Sequence, residues 1–485
     1  MHNKSILLGF ILSGIIYAQN IDSLVHHSFD FAEQQLGHTV IELGDSTRYP
    51  RSTLEDGSWS TKSSSSWASG FFPGCLWYMY EVTEDNTWAR NARGWTAGME
   101  SEQYNTGTHD VGFMIFSSFG NGYRLMEDEA YKEVVLRAAQ SLATRYNPTV
   151  GCLRSWDNRT FPVIIDNMMN LELLFWAAKN GGGSALYDMA LSHALRTMVD
   201  HVRDDGSTYQ IVDYNPTAGT IILKETHQGY SDESTWARGQ SWGLYGFTMT
   251  YRETGDVRFM ETAKRLADYI IDNLPDDHVP YWDYDAPNIP DEKKDASAAA
   301  IAASGLLELS TLVSDESLKA KYRGTAESIL GSLMSDSFLA EGSTSHGILL
   351  HGVGNHNGGT EVDVSLIYAD YYFLEALLRY QSLTVPLFAT PTLDNKFPEQ
   401  VQLQPNYPNP FNISTYIPYH LGVPSEVVVI LYDVNGRRIG IYPRGRQSAG
   451  DYRFLLDTSF LSSGIYLVQL QANDRIHNRK ITLIK

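Results

Sequence analysis

Cysteine is nearly absent from this chain: there are 2 in 485 residues, Cys75 and Cys152, both beside apolar residues. Buried free thiols are the expectation, not a disulfide framework. No Cys/His spacing suggests zinc, and no metal or organic cofactor is implied. Basic residues are also in deficit. With 37 Lys and Arg against 57 Asp and Glu, the net charge is −20, which argues against nucleic acid and anionic membranes as partners. A small anionic substrate is still compatible, because local Arg and His override a distant field screened by salt. Membrane-length apolar runs are missing too. The stretch 6–16 is too short to span a bilayer as a mature helix. With Lys4 before it and Ala18 after it, it reads as an export signal, residues 1–18, leaving no transmembrane segment in the mature chain.

What is present is apolar and aromatic. The chain is 43% hydrophobic, with 10 Trp and 29 Tyr, a load that suits either a carbohydrate cleft or a large helical core. From 21 to about 380 the apolar period is helical, over 138–146, 168–179, 185–202, 236–253, 257–273, 296–313 and 364–380. Turn-rich pieces at 179–183 and 252–256 separate them, with Ser184 placed as an N-cap and Gly255 as a helix-terminating glycine. About a dozen helices in hairpin succession suit an α/α toroid. An irregular α-solenoid is the alternative, although no short repeat is visible. Residues 381–405 turn rich in Pro, Thr and polar side chains and read as a linker. Beyond it the period falls to two, at 426–432, 464–470 and 480–484, which predicts a small all-β sandwich over 406–485.

That tail resembles the C-terminal sorting domain of the type IX secretion system. The residues that carry the resemblance, in order, are Tyr407-Pro408-Asn409-Pro410-Phe411-Asn412, Tyr432-Asp433-Val434-Asn435-Gly436-Arg437, Ser463-Gly464-Ile465-Tyr466 and Lys480. The resemblance implies export through that machinery, to the medium or to the outer-membrane surface. A carbohydrate-binding β-module is the competing reading, but the tail has no obvious aromatic platform or calcium ligands.

Two aspartates frame the chemistry of the helical part. Asp110 lies in Thr108-His109-Asp110-Val111-Gly112-Phe113, and Asp166 in Ile164-Ile165-Asp166-Asn167-Met168-Met169-Asn170. Apolar neighbours on both sides of Asp166 predict a desolvated carboxyl with a raised pKa, able to hold or take a proton near neutral pH. The other block runs from His227 to Gly246. If a helix starts near Ser234, Arg238 and Trp242 share a face, presenting a carboxylate fork beside a sugar-stacking plane. A structural Arg packed on Trp is the plainer alternative. Gln228 falls at the mouth.

These motifs together resemble the unsaturated glucuronyl hydrolases, glycoside hydrolase family 88. Further matches are Trp67 to Trp77, Ser155-Trp156, Asp205-Gly206-Ser207-Thr208-Tyr209 and 295–300, in order through the helical part. The resemblance implies an (α/α)6 barrel over 21–380 that acts on lyase-generated oligosaccharides. The non-reducing 4,5-unsaturated uronic acid is removed by hydration of its C4=C5 enol ether. Asp166 and Asp110 would be the catalytic pair. Gln228 and Arg238 would bind substrate or position water, with Trp242 and Trp156 on the stacking surface and Trp67 shaping the wall. At 210 the pattern has His after Asp-Gly-Ser-x-Tyr, where this chain has Gln210, so a substrate contact with altered selectivity is expected. Residues 351–358 carry no Lys, against a strongly sulfate-selective site. The alternatives are an unsaturated rhamnogalacturonyl hydrolase type, an inverting endo-glycosidase with carboxyls about 6.5–9.5 Å apart, and a non-catalytic surface glycan-binding protein. The parent polysaccharide is not fixed by these residues.

Overall fold

The computed structural model describes residues 3–384 and, within 401–485, all but 405, 407, 423, 434–436, 460 and 474, with side chains from 21 onward except at 402, 451 and 476. Most of the expected linker, the motif residue Tyr407 and the turn 434–436 lie outside the described residues. The chain divides into two compact units, Met1–Phe388 and Ala389–Lys485.

Helices alternate through the first unit: α1 (Asn3–Leu43), α2 (Phe71–Thr83), α3 (Asn86–Gly98), a π-helix (Gly112–Gly120) continuing into α4 (Asn121–Met126), α5 (Glu129–Ala143), α6 (Asn167–Ala177), α7 (Ser184–Asp200), α8 (Ala237–Thr254), α9 (Val257–Asn273), α10 (Ala296–Leu312), α11 (Glu316–Leu333) and α12 (Ile367–Thr384). α2, the π-helix with α4, α6, α8, α10 and α12 contact one another in order, the π-helix meeting α6, and α12 closes on α2, while the odd-numbered helices pack against them from outside. This is the (α/α)6 barrel. The inner helices α8 and α10 are buried along almost their whole length; α10 is apolar or small nearly all round, whereas α8 also buries the polar Arg238 and Gln240. The outer α9 is amphipathic, with Phe259, Met260, Ala263, Leu266, Ala267 and Ile270 facing inward.

One device recurs at the hairpins. Glu84, Glu127 and Gly255 take left-handed φ of 56°, 52° and 69° and end α2, α4 and α8. The following Asp85, Asp128 and Asp256 then cap α3, α5 and α9, accepting from the N–H of Thr87, Ala130 and Arg258. Gly255 therefore ends its helix as expected. Ser184 does not cap: it is the first residue of α7, after Gly183. The helix expected near Ser234 starts at Ala237, because the Ser234 hydroxyl is held in a turn by Asp283.

Among the described residues of this unit, nine short strands connect the helices: β1 (Tyr49–Thr53), β2 (Trp59–Lys62), β3 (Tyr146–Asn147), β4 (Cys152–Leu153), β5 (Pro162–Ile164), β6 (Ile211–Tyr214), β7 (Ile221–Glu225), β8 (Gly352–Asn355) and β9 (Thr360–Val364). They form antiparallel pairs, except that β5–β6–β7 make a three-stranded sheet. Both cysteines are buried and free.

From midway along the inner helices onward, polar side chains interlock. Glu375 of α12 accepts from Tyr78 (3.1 Å), Tyr245 (3.1 Å) and Ser304 (2.5 Å). Arg252 of α8 joins Glu172 of α6 and Glu308 of α10. Above this layer, rings fill the barrel. Tyr78 lies 4.9 Å from Tyr371, Tyr371 5.0 Å from Tyr372, and Tyr372 5.2 Å from Trp242.

The second unit is the expected all-β sandwich. One sheet has the order β10–β11–β14 (Val401–Leu403, Ser414–Leu421, Gly450–Asp457) and the other β13–β12–β15–β16 (Arg438–Gln447, Ser425–Asp433, Gly464–Ala472, Arg475–Leu483). Alternate residues such as Ile417, Tyr419, Val427, Val429, Val468 and Leu470 form its core. β10 lies inside the stretch expected as linker. It pairs with β11 and buries Val401 and Leu403. Phe411 of the first tail motif exchanges backbone bonds with Thr482 and Ile484 beside the last strand.

Candidate active site

The inner helices begin at one end of the barrel, and the candidate residues sit at those beginnings. Trp67 precedes α2, Asp110 precedes the π-helix, Asp166 precedes α6, Arg238 is in the first turn of α8, Asp295 precedes α10, and Tyr368 is in the first turn of α12. Helix N-termini carry partial positive charge, so this end favours an anion despite the net charge of the chain.

Asp166 occupies the N-cap position of α6, yet its side chain makes no capping bond, and its buried Oδ2 has no partner within the protein. A structural aspartate would cap there. The carboxyl is only partly accessible and is enclosed by protein, and this desolvation pushes its pKa up to about 7. The nearby charge of Asp110 adds to the rise, and Arg238 opposes it.

The two aspartate motifs are built against each other. Gly112 must lack a side chain, because a Cβ there would lie 2.6 Å from Oδ1 and 2.8 Å from Cα of Asn170. That same Oδ1 accepts from the N–H of Phe113 at 2.9 Å. His109 meets Asn167 at 2.8 Å and stands 3.4 Å from Asp110. Burial pulls the His109 pKa down, while Asp110 and Asn167 oppose the fall. Thr108 donates to Asp110 Oδ2 at 2.8 Å. Thus His109, Asn167 and Asn170, to which the motifs alone assign no role, tie the Asp110 turn to the Asp166 turn. The available signal was their place inside the two motifs.

Trp67 and Trp156 are part-exposed. Trp67 carries the Arg51 guanidinium over its ring at 4.7 Å and leans on Tyr368 at 4.9 Å. Trp156 meets the exposed His227 edge-on at 6.0 Å. No sequence pattern had flagged Arg51 or Tyr368.

Three expected contacts need correction. Trp242 is fully buried between Phe113 and Tyr372 and presents no stacking surface, because it belongs to the ring column that fills the barrel. Arg238 is 1% exposed. Its guanidinium donates to Asp295 at 3.1 Å, to Gly354 O at 2.8 Å and to Val353 O, and it lies over Trp236 at 4.5 Å. The fork is thus engaged within the protein, as in the plainer alternative, with Trp236 in place of Trp242. Gln210 is also buried, with its oxygen accepting from Thr226, His227 and Gln228 and its amide nitrogen donating to Gln228. Gln228 is part-exposed and donates to Gly354 O at 3.0 Å.

Among the described residues, no group of three or more His, Cys, Asp or Glu side chains is placed to hold a metal ion. Nor is any described helix long and apolar enough to cross a membrane.

A barrel with paired aspartates at its inner-helix N-termini defines a carbohydrate-active enzyme. Residues 43–384 match Glycosyl Hydrolase Family 88, and the chain belongs to that family and is a glycoside hydrolase. It is 43% identical over 328 residues to an unsaturated glucuronyl hydrolase of Formosa agariphila, covering 66% of this chain and 81% of the relative. It is 32% identical to an unsaturated chondroitin disaccharide hydrolase of Streptococcus pyogenes, covering 68% of this chain and 85% of that protein. The fold superposes on the crystal structure of an unsaturated glucuronyl hydrolase specific for heparin, with TM-score 0.72 and 43% identity, covering 75% of this chain and 98% of that one. It also superposes on the enzyme from Bacillus sp. GL1, with TM-score 0.71 and 31% identity, covering 74% and 97%. Residues 406–485 match the secretion system C-terminal sorting domain, which marks the chain for export to the exterior or the cell surface.

Proposed function

We propose that the protein removes the non-reducing 4,5-unsaturated uronic acid from lyase-generated oligosaccharides, with Asp166 as the acid and base. The observation that carries this reading is the unpartnered, desolvated Asp166 carboxyl with a pKa of about 7. It is protonated in much of the resting enzyme, as a proton donor to carbon requires. Asp166 gives its proton to C4 as the C4=C5 electron pair forms the new C–H bond. The cation at C5 is stabilised by the ring oxygen. Water adds at C5 and returns a proton to Asp166. The hemiketal then opens, releasing the aglycone and a keto sugar. Asp110 binds sugar hydroxyls and keeps Asp166 protonated by its charge. Trp67 and Trp156 supply apolar walls, and Gln228 presents its amide at the mouth.

Export puts this activity where polysaccharide lyases release their products. Separating medium from outer membrane and probing both distinguishes a released enzyme from a surface-held one. The direct test mixes the protein with a panel of unsaturated disaccharides of glycosaminoglycan and other uronate origin and follows the enol-ether ultraviolet absorbance. Loss of absorbance with wild type and none with Asp166→Asn is the expected result. Cleavage of saturated glycans without any such loss would overturn the reading.

A further inference from the structure

The side chain of Gln210 makes four hydrogen bonds. Its Oε1 accepts from Thr226 Oγ1 at 2.8 Å, from the His227 N–H at 2.7 Å and from the Gln228 N–H at 2.8 Å. Its Nε2 donates to Gln228 Oε1 at 2.9 Å. Gln228 Nε2 then donates to Gly354 O at 3.0 Å, the same carbonyl that accepts from Arg238 at 2.8 Å. The backbone carbonyl of Gln210 accepts from the N–H of Ile165, beside Asp166, at 2.9 Å. From the far side, Asn357 in the β8–β9 turn donates to the carbonyls of His227 (3.2 Å) and Gly229 (2.7 Å).

We infer that Gln210 is a positioning residue rather than a substrate ligand, the hub of an amide relay that fixes the 226–229 loop and the β8–β9 hairpin relative to the Asp166 turn. The inference rests on the reading of the site given above. The chemistry selects glutamine. Three donors converge on one oxygen, which a carboxamide or carboxylate oxygen tolerates and a single imidazole nitrogen does not. The second link needs a donor, which a carboxylate lacks. At 4% exposure neither group is replaced by solvent. What the relay holds in place is the wall made by Gln228, His227 and Trp156, so Gln210 sets selectivity for the sugar next to the unsaturated residue without touching it.

Two variants separate the halves of the relay. Gln210→Ala removes both. Gln210→Glu keeps the acceptor for 226–228 but turns an oxygen toward Gln228 Oε1, breaking the link to Gly354. In the full chain, amide hydrogen exchange should rise in peptides covering 226–229 and 352–355 for Gln210→Ala, and only in 352–355 for Gln210→Glu. Peptides covering 110–120 should not change. This readout needs no activity, so it stands whether or not unsaturated sugars prove to be the substrate. In turnover of a lyase-made unsaturated disaccharide, Gln210→Ala should lower kcat/KM about 10- to 100-fold, mostly through KM. The same substitution placed on Gln228→Ala should lower it less than about twofold further. Losses that multiply would make Gln210 an independent substrate contact and overturn the inference, as would hairpin exchange unchanged in Gln210→Glu.

Discussion

Nδ1 of His109 lies 2.8 Å from Oδ1 of Asn167, so the residue before Asp110 holds the residue after Asp166. The amide nitrogen of Asn167 donates to Leu153 O and to Ser155 Oγ, at 3.0 and 2.9 Å. Its oxygen must therefore face the ring, and His109 donates through Nδ1. Replacing Asn167 by Ala leaves the His109 donor and the Leu153 acceptor buried without partners. Urea denaturation should show a loss of about 1–3 kcal/mol, and kcat/KM on an unsaturated disaccharide should fall with it.

Asp166→Asn should abolish turnover, lowering kcat by at least about 10²–10⁴, and should stabilise the fold at neutral pH. The folded carboxyl, at about 7, binds a proton that the unfolded chain releases near the ordinary value of 3.8. The stability linked to that proton is fully present below pH 4 and is lost as pH rises to about 7. The variant lacks this term. Its advantage should grow between pH 4 and 7 toward a ceiling of about 4 kcal/mol and then level off. Thermal melts across that range read the difference.

Activity should follow the same proton. kcat/KM should be flat at mildly acidic pH and fall tenfold per unit above about 7, because donation to C4 requires protonated Asp166. Asp110→Asn removes a charge that raises this pKa, so whatever activity survives should lose its alkaline limb at lower pH. An unmoved limb would separate the two carboxyls electrostatically.

Arg238 and Asp295 form an ion pair with both side chains at 2% exposure or less. Asp295→Ala leaves a buried guanidinium short of its counter-charge and should cost about 3–5 kcal/mol in chemical denaturation. Removing both partners together should cost less than the sum, which a double-mutant cycle measures.

Much of this architecture was legible in the chain. The barrel follows from helical period and hairpin breaks, and the desolvation of Asp166 from its apolar neighbours. The errors concern side chains whose partners are distant in sequence. Arg238 and Trp242 share a helix face, but spacing says nothing of Asp295 or Val353, which occupy the Arg238 fork, or of Tyr372, which covers the indole. Gln210 was expected at the substrate because the family pattern has His at that position; its acceptor is instead taken by the loop 226–228, whose fold no local pattern encodes. Ser184 failed as a cap because the glycines before it already turn the chain.

The polar layer around Glu375, midway along the inner helices, and the ring column above it plug the barrel below the site. Traffic is therefore one-way in and back out. A sugar chain can present an end to Asp166 but cannot thread past it, and each spent sugar must back out through the mouth before the next arrives. A cul-de-sac of this kind suits an enzyme that trims short fragments one terminus at a time, and its throughput on any mixture scales with the number of ends, not with the mass of polymer.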